Sequence, residues 1–155
     1  LWFARDFVHG EPFVYLHGDI VYHEEILSTT LKENRIEEHA IELVTDFGPT
    51  DEEAMKVKVD RDRYLIESNK EIRQEESAGE WTGIAYINQP EPLFEEIERI
   101  MLEEDLNVYD THAFTKLAQK GKRIYCSSTA DLPWIEVDFQ EDYQKAQRMF
   151  TDEPV

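Results

Sequence analysis

Apolar and polar positions along this chain switch between two periods, and each switch marks an element. Phe13-Val14-Tyr15-Leu16 is a continuous apolar run halted by His17-Gly18-Asp19. Such a run predicts a strand buried on both faces, as in a parallel sheet, with Asp19 at its carboxyl end. Residues 22–35 carry Ile26, Leu27 and Leu31 at helical spacing, and residues 40–45 read as a second strand followed by a loop over 47–51. Met55-Lys56-Val57-Lys58-Val59-Asp60 alternates, the mark of a half-buried strand, and Arg61-Asp62-Arg63 turns it back into Tyr64-Leu65-Ile66-Glu67 as a hairpin.

A further strand is expected over 82–88. Pro92 then opens an amphipathic helix with Leu93, Phe94, Ile97, Ile100 and Met101 on one face and a solvated face of Glu95, Glu96, Glu98, Glu103 and Glu104. Asp110 is placed to cap the next helix, which carries Ala113, Phe114, Leu117 and Ala118 and ends at Gly121. Strands over 123–127 and 134–138 follow. Phe139, Tyr143, Ala146 and Phe150 define a last helix. Strands alternating with helices, plus one hairpin, predict a Rossmann-like α/β/α sandwich with a mostly parallel mixed sheet.

At 155 residues the chain is one domain, 1–155, and its 41% hydrophobic and 12% aromatic content is that of a globular core. A formal charge of −19 argues against nucleic acid and acidic membrane surfaces, whose phosphates want Lys and Arg. Small phosphorylated substrates stay open, because a bound divalent cation inverts the local field. The single cysteine, Cys126, leaves no internal disulfide and reads as a buried strand thiol, which fits a reducing cytoplasm. No apolar stretch reaches the length of a membrane span. The chain opens without methionine in an amphipathic stretch (Leu1, Trp2, Phe3, Phe7), as expected of the C-terminal portion of a longer protein.

Two carboxylates stand at strand ends far apart in sequence: Asp19, and Asp138 after Trp134-Ile135-Glu136-Val137. In open α/β sheets ligands gather at such ends, and two carboxylates plus substrate phosphates are a common donor set for Mg²⁺. Each has a plainer reading, Asp19 as a turn residue and Asp138 as a helix N-cap. Glu136 faces either the same cleft or solvent. The five histidines show no paired metal-ligand spacing, and His17 either lines the site or is structural. Lys116, Lys120, Lys122 and Arg123 form a basic cluster explained by the helix dipole.

Four stretches in register resemble the sugar-phosphate nucleotidyltransferases. Phe13 to Asp19 is similar to that family's central strand and metal-binding aspartate. Met55 to Glu67 with Ser68-Asn69-Lys70-Glu71-Ile72 resembles its V-x-V-D … G-K-E-I stretch, whose lysine contacts phosphate. Gly79-Glu80-Trp81-Thr82-Gly83-Ile84 resembles its G-E-x-x-G-I strand, and Trp134-Ile135-Glu136-Val137-Asp138 with Glu141-Asp142-Tyr143 and Ala146 its closing W-x-E-I-D-x-x-E-D-x-x-x-A. The nearest subgroup is the phosphocholine cytidylyltransferase-like one. Two departures stand out: the family's glycine-rich nucleotide loop has no counterpart here, and Trp81 replaces the asparagine frequent in hexose-type members.

The resemblance implies a cytoplasmic Mg²⁺-dependent transferase that moves a nucleoside monophosphate from an NTP, CTP favoured, to a sugar or alcohol phosphate, releasing diphosphate. It implies Asp19, Lys70 and Asp138 as catalytic residues, with Asp19 and Asp138 on the metal. Gly18, Lys70, Glu80, Gly83 and Glu136 would contact substrate, and a homodimer is compatible with it. The alternatives are a non-catalytic binding or regulatory module on the same scaffold, and a nucleotide-sugar glycosyltransferase. The latter is disfavoured because Asp19-Ile20-Val21 lacks the second aspartate of an Asp-x-Asp motif.

Overall fold

The computed structural model describes residues 1–32, 39–104 and 107–151, the side chains of residues 30–32 excepted. The amphipathic N-terminal stretch forms a 3₁₀ turn, Trp2–Ala4, and a short helix α1, Arg5–Val8, with Phe3 and Phe7 on the surface. Then come β1 (Phe13–Leu16), β2 (Ile20–Tyr22), α2 (Glu24–Lys32), β3 (Ile41–Phe47), β4 (Lys56–Val59) and β5 (Leu65–Asn69). The chain continues through β6 (Gly79–Ile87), α3 (Pro90–Glu103), α4 (Asp110–Gln119), β7 (Ile124–Ser128), β8 (Trp134–Glu136) and α5 (Gln140–Thr151). The helix expected over 22–35 thus begins at Glu24; residues 33–35 of that expectation, and the Leu31 side chain, lie outside the described residues.

The main sheet has the order β5-β4-β6-β3-β7, with β1 also on β6. The α/β class, the mixed sheet and the β4–β5 hairpin are as the sequence led us to expect. Its parallel content is smaller: among the described strands β3 and β7 pair parallel, while β1–β6, β3–β6, β4–β5 and β4–β6 are antiparallel. The run at 13–16 is accordingly not a strand buried on both faces. It is half-buried and pairs on one side only, against the C-terminal half of β6. Its apolar residues are explained by packing, with Phe13 stacked on Phe94 and Tyr15 tilted against Trp81.

Alternation along the strands divides the core between two faces. Leu43 and Ala85 face α3 and α4, in a cluster with Leu93, Ile100, Phe114 and Leu117. Val44 and Ile84 face the other way, onto Ile26 of α2 and the half-buried Ile20, Tyr22 and Trp134. Burying a side chain such as Phe94 or Phe114 contributes roughly 2–3 kcal/mol and both are essentially inaccessible. Among the described residues no helix is long and apolar enough to cross a membrane.

Four local expectations change. Glu96 is not on a solvated face: it is 4% exposed and ion-paired to Arg99 and Lys120, so the acidic face of α3 is partly neutralised by α4. Asp110 is the first residue of α4 rather than its cap, and Tyr109 takes the cap position. In α5 Ala146 is buried, whereas Phe139 and Tyr143 are exposed. The segment at 134–138 contributes only Trp134–Glu136 as strand, and it pairs with β2 in a separate two-stranded sheet.

Candidate functional site

The site lies where the edge of β6 changes partner. β3 covers one edge of β6 along its length, so β4 (at Gly79 and Glu80) and β1 (from Ile84 on) share the other edge. Between the pairs Leu43↔Ala85 and Thr45↔Trp81, β3 advances two residues while β6 advances four, a bulge centred on residues 82–84. Three contacts stabilise it. The Trp81 indole N–H donates to the Ile84 carbonyl (2.9 Å), the Thr82 hydroxyl to the Val44 carbonyl (3.0 Å), and Gly83 supplies the left-handed turn at φ +79°. A cleft opens beside the bulge, lined by His17, Glu53, Lys70, Glu80, Gly83 and Glu136, with Trp81, Tyr109 and Asp110 also in its wall.

His17 enters this cleft just past β1. Its backbone N–H donates to the Gly83 carbonyl (3.0 Å), and its ring meets the Trp81 indole edge-on, centroids 4.8 Å apart. The ring uses the space left by glycine: a Cβ on Gly83 would come within 2.9 Å of His17 Cγ and Nδ1. Nε2 of His17 lies 3.7 Å from Oδ2 of Asp110, which also accepts the Tyr15 hydroxyl at 2.5 Å. The Asp110 contact, opposed by burial, raises the His17 pKa; Asp19 and Glu136 push it the same way. Burial would raise the Asp110 carboxyl, but the nearby His17 imidazole and the hydrogen bond from Tyr15 outweigh it and hold Asp110 below the usual carboxylate range.

Asp19 sits in the turn between β1 and β2, and Glu136 ends β8. The two-stranded ladder brings them together, through the register Ile20↔Glu136 and the Val137 N–H donated to the Asp19 carbonyl at 2.7 Å. Trp134 ties the ladder to the main sheet through a 3.0 Å hydrogen bond from its indole N–H to Oδ2 of Asp46. One donor atom each from His17, Asp19 and Glu136 lies within 4.8 Å of the other two. This donor set, one imidazole nitrogen and two carboxylate oxygens, suits a divalent cation. Burial raises the Glu136 carboxyl, and the negative charges of Asp138 and Asp19 add to the rise. Asp138 is thus electrostatically close to Glu136, although it is exposed and falls outside that group of donors.

Lys70 stands across the cleft, following the hairpin. Its ammonium is 3.5 Å from Glu53 and 5.7 Å from the centre of the Tyr109 ring, and its charge reaches Glu136. The segment carrying it is fastened from inside by Lys56. That lysine is 1% exposed and donates to the carbonyls of Glu52 (3.0 Å), Ala54 (3.4 Å) and Lys70 (2.9 Å). Glu80 faces the same cleft; burial, reinforced by Asp51, Glu136 and Asp46, pushes its carboxyl up to about 7. Gly18 lies in the turn beside Asp19 with open space where a Cβ would be.

Of the residues singled out from sequence, Lys70, Glu80, Gly83 and Glu136 line one cleft, and Asp19 joins it through its approach to His17 and Glu136. Asp110 and Tyr15 were not among them. An aspartate at a helix start reads as a cap, and its partners lie on a distant strand. Trp81 is both core and wall, 3% exposed and edge-on to Phe114.

No protein-family model and no curated protein sequence matches the chain. Solved structures do. The inositol-1-phosphate CTP transferase from T. maritima superposes with a TM-score of 0.76 at 20% identity, over 99% of this chain and 62% of that one. A Bacillus anthracis protein described as a glucose-1-phosphate thymidylyltransferase, solved with sucrose, gives 0.77 at 18% identity over 99% and 60%. The nucleoside-diphosphate-sugar pyrophosphorylase from Vibrio cholerae gives 0.61 at 15% identity over 88% and 56%. The chain spans about three fifths of the length of these structures, and what it has in common with them is the Rossmann-like α/β fold.

Proposed function

We propose that the protein to which these residues belong is a Mg²⁺-dependent nucleotidyltransferase. It takes an NTP, CTP by preference, and a sugar or small alcohol phosphate of the phosphocholine or inositol phosphate kind, and releases diphosphate. The observation that carries this reading is the meeting of Asp19 and Glu136 in a cleft that also holds Lys70, on a fold shared with such enzymes. The four sequence stretches that resemble the family all contribute to that cleft or its edges.

Both reactants are anions, so the barrier to their approach is electrostatic and positional. The cleft by itself is acidic, with Glu53, Glu80, Asp110 and Glu136 in its wall, and repels phosphate unless a cation offsets that charge. A bound Mg²⁺ would supply positive charge to the phosphate oxygens as the new bond forms. Asp19 and Glu136 would hold it, with Asp138 completing the acidic group. Lys70 presents its ammonium to the acceptor phosphate, and its contacts with Glu53 and Tyr109 limit its wandering. Gly18 and Gly83 leave room for substrate to approach the backbone, and Glu80 faces the acceptor's polar groups. A phosphate dianion is itself the nucleophile, so no side chain has to remove a proton first.

The test is diphosphate release by the full-length protein, with each NTP offered against phosphocholine, inositol 1-phosphate and glucose 1-phosphate. Asp19→Asn and Glu136→Gln should each lower kcat/KM by about a hundredfold or more with unchanged circular dichroism. Full turnover in both variants, or no diphosphate from any pairing, overturns the proposal.

A further inference from the structure

We propose that His17 binds the divalent cation directly, beside Asp19 and Glu136, and that its nitrogen turns the site from Mg²⁺ towards Mn²⁺. The inference rests on the reading above only in assuming that a divalent cation occupies this group.

Three observations support it. First, a ring nitrogen of His17 lies within 4.8 Å of carboxylate oxygens from both Asp19 and Glu136, residues brought there by different strands. Second, the ring is built into its place rather than resting on the surface. The absent Cβ of Gly83 makes room for it, the Trp81 indole closes one side, and its own backbone N–H is fixed to the Gly83 carbonyl. Third, the ring is surrounded by carboxylates from three directions, Asp110 from α4, Asp19 from the β1–β2 turn and Glu136 from β8. Negative charge converging on one small ring favours a cation there, either a proton on the ring or a metal ion among the carboxylates.

The donor type decides which cation. Mg²⁺ keeps to oxygen and gives up its waters reluctantly, whereas imidazole nitrogen favours first-row transition ions. Two carboxylates and one imidazole therefore favour Mn²⁺ over Mg²⁺, where a carboxylate pair alone would discriminate little.

The experiment is Mn²⁺ binding to the full-length protein, followed by electron paramagnetic resonance with Mg²⁺ as competitor. Electron spin echo spectra of the bound ion report any directly bonded nitrogen. One Mn²⁺ per chain is expected, bound about tenfold or more tightly than Mg²⁺, with a nitrogen signal from imidazole. In His17→Gln the signal should vanish and the preference for Mn²⁺ fall about tenfold, with Mg²⁺ affinity little changed. Bound Mn²⁺ without a nitrogen signal, no bound Mn²⁺, or an unaltered preference in His17→Gln overturns the inference. The spectrum of the unsubstituted protein decides the matter even if the variant misfolds. Nitrogen-ligated Mn²⁺ without diphosphate release would sink only the proposed activity; diphosphate release with no nitrogen on the metal would sink only this inference.

Discussion

The imidazole of His17 occupies the volume that a side chain at position 83 would need, with 2.9 Å between its Cγ and the place of a Gly83 Cβ. Gly83 is also held at φ +79°, in the left-handed region that side chains disfavour. Gly83→Ala is therefore expected to cost about 1–3 kcal/mol in urea unfolding, from backbone strain and displacement of the ring together. It should also change the His17 environment in proton NMR spectra at a protein concentration where the fold is intact. An alanine variant of unchanged stability would show that the ring moves aside freely.

Glu80 gives a pH signature. Its carboxyl is near 4.5 when exposed and about 7 in the folded chain, raised first by burial and then by Asp51, Glu136 and Asp46. Below pH 4.5 both states hold the proton and folding is not penalised. From there to about 7 the unfolded chain loses the proton before the folded one, so stability falls as pH rises, and above 7 the penalty is complete. Partial exposure to solvent brings the effect to about 1–2 kcal/mol. In metal-free buffer Glu80→Gln should be more stable than the parent at pH 8, by an amount that shrinks towards pH 5. A constant difference across that range would contradict the assignment.

Lys56 is among the largest fully buried side chains of the described residues, and its three hydrogen bonds all go to backbone carbonyls. Lys56→Met keeps the apolar stem but leaves those carbonyls unpartnered, at a cost of about 3 kcal/mol. Its second effect is local. Residues 52–54 and Lys70 lose their common anchor, so amide exchange there should accelerate more than in β3 or β6. Uniform acceleration would mean that Lys56 acts on global stability alone.

Cys126 sits in the parallel pair β3–β7 at 0% exposure, and burial pushes its thiol up to about 12. Thiolate is the reactive form, so a disulfide reagent at pH 8 should label the native chain at the rate of unfolding and the urea-unfolded chain at once. Rapid labelling of native protein would place this strand at the surface.

Much of this arrangement was legible beforehand. The alternation at 56–59 and the turn at 61–63 marked the hairpin, the 3.6-residue spacing of Leu93, Phe94, Ile97 and Ile100 marked α3, and the four family-like stretches pointed to Lys70, Glu80 and Glu136. What misled was the apolar run at 13–16. Period alone does not separate a strand flanked on both edges from one whose bulky side chains pack on Phe94 and Trp81 while one edge pairs. Glu96 misled in a similar way, since its partner Lys120 lies at the end of another helix, just past α4.

By itself the sequence determined most strands and helices, though not β2 or α1, the α/β class and the residue types available for cation and phosphate binding, because these follow from local spacing and composition. Only the tertiary structure decided that Asp19 meets Glu136 and His17. That meeting depends on the β2–β8 register and on a glycine bulge in β6, long-range pairings that no local period encodes. The same holds for Asp110, whose hydrogen bond to Tyr15 joins the start of α4 to β1 and turns an apparent helix cap into part of the cleft wall.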